Sequence, residues 1–255
     1  TLFPYTTLSR SDPRTAATLA RARRRWPDDV ALAIADGEFM RDSGRSEDAL
    51  KHFQTGEKNA EPGFAAEAFR LGALQAESDL LAIDGPGDAV VVDAARAGRL
   101  VAALRDFGNS AAAADLRARA WLTLHGVEEA RENEDKAYAA TAKAFEAGPG
   151  LPFVIEGRAV AVANRIAGRA LEDGTVEPSL KTDAAAALAA LDGFLLRAPK
   201  ATNSAMLAAR VFLVATRGSA EDLETAFDRY ETFAGEDVNT TVVEAYEKAR
   251  ALWFD

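Results

Sequence analysis

The stretch from Asp29 to Pro62, DVALAIADGEFMRDSGRSEDALKHFQTGEKNAEP, decides how the rest of the chain is read. Val30, Leu32, Ile34, Ala35, Phe39 and Met40 supply the apolar positions of one helix. Asp28 and Asp29 suit its start, where carboxylates meet the positive end of the helix dipole, and Ser43-Gly44 suits its end. A second helix follows at once. Ser46 is placed to cap it, Ala49, Leu50 and Phe53 form its apolar stripe, and Glu61-Pro62-Gly63 closes it. Two short helices joined by a tight turn and stopped by Pro make an antiparallel hairpin.

The spacing of Gly37, Met40, Gly44, Ala49, Phe53 and Pro62 resembles the tetratricopeptide repeat. In that family a small residue lets the two helices approach, Gly allows the turn, Ala and a large aromatic four apart fill the hairpin, and Pro ends the unit. The stretch departs from the pattern at Ala33, Asp36 and Met40, where the family prefers Trp, Leu and Tyr. The resemblance implies an all-α fold, a right-handed α-solenoid of antiparallel helix hairpins with about 10–12 helices, whose first helices line a concave groove. Carried over residue by residue, it places Ile34, Glu38, Arg41 and Asp42 in that groove as partner-binding residues. Members that clamp a peptide carboxylate use Lys and Asn pairs. Asn164, Arg165 and Arg210 lie on later helices without forming such a set.

Self-similarity is a test independent of any family. Gly44-Arg45-Ser46-Glu47-Asp48, with Phe53 nine residues after the Gly, returns as Gly218-Ser219-Ala220-Glu221-Asp222 with Phe227 nine after the Gly. The offset is 174 residues, close to five periods of about 34. Around Ala137, Ala144 and Pro149 the spacing again resembles a second repeat helix, with Thr141 in place of the aromatic.

Working outward, an amphipathic helix is expected over 14–25, and further helices over 62–81, 88–107, 110–125, 133–147, 152–172, 179–197, 201–216, 219–234 and 238–253. Each is separated from the next by Gly or Pro, as at Phe107-Gly108-Asn109-Ser110 and Gly148-Pro149-Gly150. Composition agrees, since the chain is Ala-rich and holds only four Ile, which starves a sheet. Residues 12–255 read as a single helical-repeat domain. Residues 1–11 differ in composition and resemble a translated sequencing-adaptor read-through of the kind found in metagenomic gene predictions; the competing reading is a short extended arm.

Among 255 residues there is no Cys and only two His, which removes disulfides, zinc–thiolate sites and thiolate nucleophiles and leaves little for a His-based triad. His52 and His125 read as structural, His125 at a helix C-terminus. Asp84-Gly85-Pro86-Gly87-Asp88 has too few oxygens for a calcium loop and reads as a tight turn. Asp28-Asp29 and Asp36 lack the one-turn spacing of a diphosphate–Mg²⁺ motif, and the acidic run Glu132, Glu134, Asp135 reads as a solvated helix start. A net charge of −10 opposes nucleic-acid binding, and Arg21, Arg23, Arg24 and Arg25 read as a solvated helix face. No run of apolar residues is long enough to span a membrane. The expectation is a non-catalytic scaffold, without cofactor or metal, that binds a protein or peptide and no nucleic acid. The alternative is an all-helical enzyme with scattered carboxylates. Either would be cytoplasmic, or periplasmic if a signal peptide precedes Thr1.

Overall fold

The chain folds as helices joined by short turns, with one pair of three-residue strands the only sheet among the described residues; the computed structural model describes residues 13–84, 90–170 and 175–254. It divides within a helix into two units, one up to Ala137 and one from Tyr138.

In the first unit the helices are α1 (Pro13–Arg25), α2 (Val30–Asp42), α3 (Ser46–Asn59), α4 (Phe64–Asp79), α5 (Ala94–Ser110) and α6 (Ala114–Ala130), with the start of α7 (Glu134–Ala147). Asp29 caps α2 by accepting from the Leu32 amide at 3.0 Å. Gly44 then closes it in a left-handed conformation (φ 74°), with Gly44 N–H donating to Arg41 O and Arg45 N–H to Met40 O, both at 2.9 Å. Ser46 does not cap α3. It lies inside the helix, and its hydroxyl donates to Asp79 Oδ2 at 3.3 Å.

Alternate helices become neighbours: α2 packs on both α3 and α4, α3 on α4, α4 on both α5 and α6, and α5 on α6. Phe53 is the pivot of this packing. Its ring is fully buried and lies where a Cβ on Gly37 of α2 would come within 2.4 Å and a Cβ on Gly72 of α4 within 2.5 Å. Two helices approach one aromatic ring because each presents only hydrogen there. His52, beside it, uses Nε2 to donate to Ala33 O at 2.8 Å.

Several boundaries differ from expectation. Instead of a helix from residue 88, β1 (Ala82–Asp84) and β2 (Val90–Val92) pair antiparallel, Ala82 opposite Val92. Three successive β-branched Val residues favour the extended form, and Asp93 starts α5 by accepting from the Arg96 amide at 2.9 Å. The turn read at Asp84–Asp88 falls outside the described residues beyond Asp84. Gly108 and Gly126 stop no helix. Gly108 lies within α5, where Trp121 packs on it and donates from Nε1 to its carbonyl at 3.2 Å, while Gly126 lies inside α6. His125 is therefore in the body of α6, with Nδ1 3.2 Å from Ala137 O. That helix ends at Ala130, and the turn after it holds Glu132, a non-glycine residue at φ 59°.

In the second unit the rest of α7 is followed by α8 (Pro152–Arg165), a π turn (Ile166–Ala170), α9 (Pro178–Arg197), α10 (Ser204–Ala215), α11 (Ala220–Ala234) and α12 (Thr240–Trp253). The neighbour order of the first unit recurs: α8 packs on α9 and α10, α9 on α10, α10 on α11 and α12, and α11 on α12. Ile155, Val162, Leu191, Leu207, Leu213 and Leu223 form the centre of its core, and Phe227 stacks on Tyr246 with centroids 4.1 Å apart. Asn203 caps α10, and Ser219 with Asp222 forms a reciprocal capping box on α11. Counted in chain order, α3 and α11 are four helix pairs apart rather than five. The strand pair and the segment from the π turn to α9 lengthen the intervals between them.

Candidate binding face

The residues that the family resemblance assigns to a groove lie on α2, and the structure places them unequally. Ile34 is half-buried and packs against the Phe53 cluster. Asp42 is exposed. Arg41 is held by α4: its Nε and Nη2 meet Asp79 Oδ2 and Oδ1 at 2.9 and 3.2 Å, a two-pronged ion pair, and Nη1 donates to Gln75 Oε1 at 3.3 Å. Gln75 continues the line to α6, where its Nε2 donates to Thr123 Oγ1 at 3.4 Å. A polar seam thus runs across α2, α4 and α6.

Glu38 sits within this seam. Burial raises its carboxyl pKa above the ordinary carboxylate value; the positive fields of Arg119 on α6 and Arg41 lower it, and Asp42 adds a smaller upward push. Arg119 and Thr123 are four residues apart on α6, as are Gln75 and Asp79 on α4, so each pair presents on one helix face. Gln75, Asp79, Arg119 and Thr123 were not reachable from the repeat pattern read on α2. One signal for the α4 pair does exist in the sequence: Gly72 follows Gly37 by 35 residues, near one repeat period, and marks the matching register on α4.

The second unit holds a different polar cluster. Arg158 is buried. Its Nη2 meets Asp183 Oδ2 at 2.9 Å, and its Nη1 donates to Thr141 Oγ1 at 3.0 Å. The Tyr138 hydroxyl donates to the same Asp183 oxygen at 2.5 Å, and the Arg158 and Arg165 guanidiniums each lie 4.4 Å from the centre of its ring. Burial, with the hydrogen bond to Asp183, pushes the Tyr138 phenol well above its usual range. This ties α7, α8 and α9 together, and no buried side-chain nitrogen or oxygen among the described residues lacks a hydrogen-bond partner. Arg210 donates to Asp192 Oδ1 at 2.7 Å. No group of three or more His, Asp or Glu able to hold a metal ion occurs among the described residues, and no helix among them is long and apolar enough to cross a membrane. No family model, curated protein or solved structure matches the chain.

Proposed function

We propose that the chain is a non-catalytic scaffold of tetratricopeptide-like helix hairpins, stacked as an α-solenoid, that holds a polypeptide partner against the face shared by α2, α4 and α6. The observation that carries this reading is the convergence of alternate helices on one polar seam, Glu38 and Arg41 facing Gln75, Asp79 and Arg119 across element boundaries. First helices meeting side by side is what stacked hairpins require, and the recurrence of the same neighbour order in α8, α10 and α12 supports it. Glu38 is the residue that this reading assigns to the partner. An ionised carboxylate kept where burial opposes it is better accommodated when a partner's basic or N–H group reaches it.

A photo-crosslinking residue at the exposed position 42 identifies the partner, and calorimetry with Glu38→Gln and Glu38→Lys measures the contribution of the carboxylate. Both variants should bind at least about tenfold more weakly, about 1.4 kcal/mol. Stability should move the other way for Glu38→Gln. Because the folded state holds this proton more tightly than the unfolded chain, the group's effect on stability is most favourable at low pH. That advantage is lost as pH rises through the ordinary carboxylate range and past the raised folded value. Glu38→Gln should therefore melt higher than the natural chain at pH 7, with the gap closing toward pH 4. Unchanged affinity in both variants rejects the face.

A further inference from the structure

We propose that α1 lies along an anionic lipid surface, with the outer row formed by Arg14, Arg21 and Arg25 on the phosphate headgroups and Trp26 among them. No residue of the seam on α2, α4 and α6 takes part. α1 carries Arg14, Arg21, Arg23, Arg24 and Arg25 and no acidic residue, and none of its described side chains is buried. Its half-buried residues Thr15, Ala16, Leu19, Ala22 and Arg23 share one side, and α2 is the helix it packs on. At about 100° per residue, Arg14, Arg21 and Arg25 fall within about 40° of one another, on the far side of the helix from Leu19. At a rise of 1.5 Å per residue the row is about 16 Å long. Only Ala17 and Thr18 stand between its members on that side, and Arg24 flanks it.

No ion pair among the described residues includes Arg21, Arg24 or Arg25. The Arg25 guanidinium lies 4.9 Å from the centre of the Trp26 ring, which sets the indole, 51% exposed, at the end of the row. A guanidinium fork matches a phosphate group, and an indole beside it suits a headgroup layer, where one end of the ring is wet and the other apolar. The charge of the remaining chain selects lipid over nucleic acid. Residues 13–25 carry +5 in a chain of −10, which leaves −15 on the remainder. Lipids diffuse in the plane of a membrane, so anionic headgroups can gather beneath the row while neutral ones lie beneath the acidic remainder. The phosphates of a duplex are fixed at one per about 1.7 Å of axis and cannot rearrange in that way, and its bases, stacked inside, give the indole no partner.

The apolar side of α1 is used on α2, so the contact rests on charge and one aromatic ring. Each basic residue near an anionic membrane changes partitioning about fivefold, so binding is reversible and salt-sensitive. Asp28 and Asp29 follow Trp26 in the turn to α2. The Asp29 carboxylate is engaged on the Leu32 amide, whereas Asp28 is exposed beside the row and opposes the contact.

The test is flotation of the full chain with vesicles of equal parts phosphatidylcholine and phosphatidylserine, against vesicles of phosphatidylcholine alone. It is run at about 0.05 M and about 0.5 M salt, where the screening length falls from about 14 Å to about 4 Å. The chain should float with the anionic vesicles at low salt, be released at high salt, and not float with the neutral ones. Arg21→Gln with Arg25→Gln should weaken partitioning about 25-fold, and Asp28→Asn should strengthen it about fivefold. Tryptophan emission should move to shorter wavelength on binding, a change absent from Trp26→Ala. All four side chains are exposed, so circular dichroism melts of the variants should coincide with the natural chain and exclude misfolding. A chain that stays off the anionic vesicles at low salt overturns the proposal, as does flotation that the double variant leaves intact or an emission change that survives Trp26→Ala. Tighter binding to a duplex or single-stranded DNA probe than to the vesicles, lost in the double variant, overturns it in favour of a nucleic-acid site.

Discussion

Phe53 is fully buried, and its ring lies against both Gly37 of α2 and Gly72 of α4. Truncating a fully buried aromatic removes its transfer energy and leaves a cavity, so Phe53→Ala should lower stability by about 3–5 kcal/mol. The glycines give a finer test because two effects of opposite sign compete. Replacing a mid-helix Gly by Ala gains up to about 1 kcal/mol in helix propensity. At Gly37 and Gly72 the new methyl would come within 2.4–2.5 Å of the ring, and forcing such an overlap costs about 1–3 kcal/mol. Gly98, inside α5, has open space where a Cβ would stand. Urea unfolding should show Gly98→Ala more stable than the natural chain and both Gly37→Ala and Gly72→Ala less stable. Equal gains at all three positions would mean that Phe53 moves aside freely and does not set the distance between helices.

Some helix ends were open to reading from sequence, because a cap is local chemistry. Asp29 sits three residues before the amide it binds, and α2 begins where it predicts, whereas Ser46, read in the same way, lies inside α3 and caps nothing. Glycines misled in the opposite way. Gly108 reads as a stop but is kept inside α5 by the indole of Trp121, a contact made with another helix and invisible in either segment alone. The seam shows the same limit: Arg41 was singled out through the family resemblance, whereas its partner Asp79 depends on how α4 is rotated against α2. The true end of α6 is a turn that usually takes Gly, built here with Glu132 at φ 59°; Glu132 N–H donates to Glu129 O and Asn133 N–H to Glu128 O. A side chain in that conformation costs about 1–2 kcal/mol, part of which a more flexible unfolded chain takes back. Glu132→Gly should raise the thermal midpoint with a net gain of about 0.5–1 kcal/mol, and a lower midpoint would show that the Glu132 side chain contributes contacts that outweigh the backbone strain.

Across the whole molecule the charge of −10, with an isoelectric point near 4.9, opposes the compact state at neutral pH, since folding brings like charges together. Specific attractions act against this, among them Arg41 with Asp79 at 2.9 Å and Arg158 with Asp183 at 2.9 Å. Salt screens both, but not equally. The long-range repulsion among exposed carboxylates is weakened first, while the partly buried ion pairs are shielded from solvent and lose less. At pH 7 and low protein concentration, raising salt from about 0.02 M to about 0.2 M should therefore raise the thermal midpoint, by about 2–4 °C for about 1 kcal/mol in a chain of this size. Near pH 4.9 the net repulsion vanishes and only the attractive pairs remain to be screened, so the same increment should leave the midpoint unchanged or lower it. Calorimetric scans at the two pH values decide this. A midpoint that falls with salt at pH 7 would mean that the ion pairs outweigh net charge throughout.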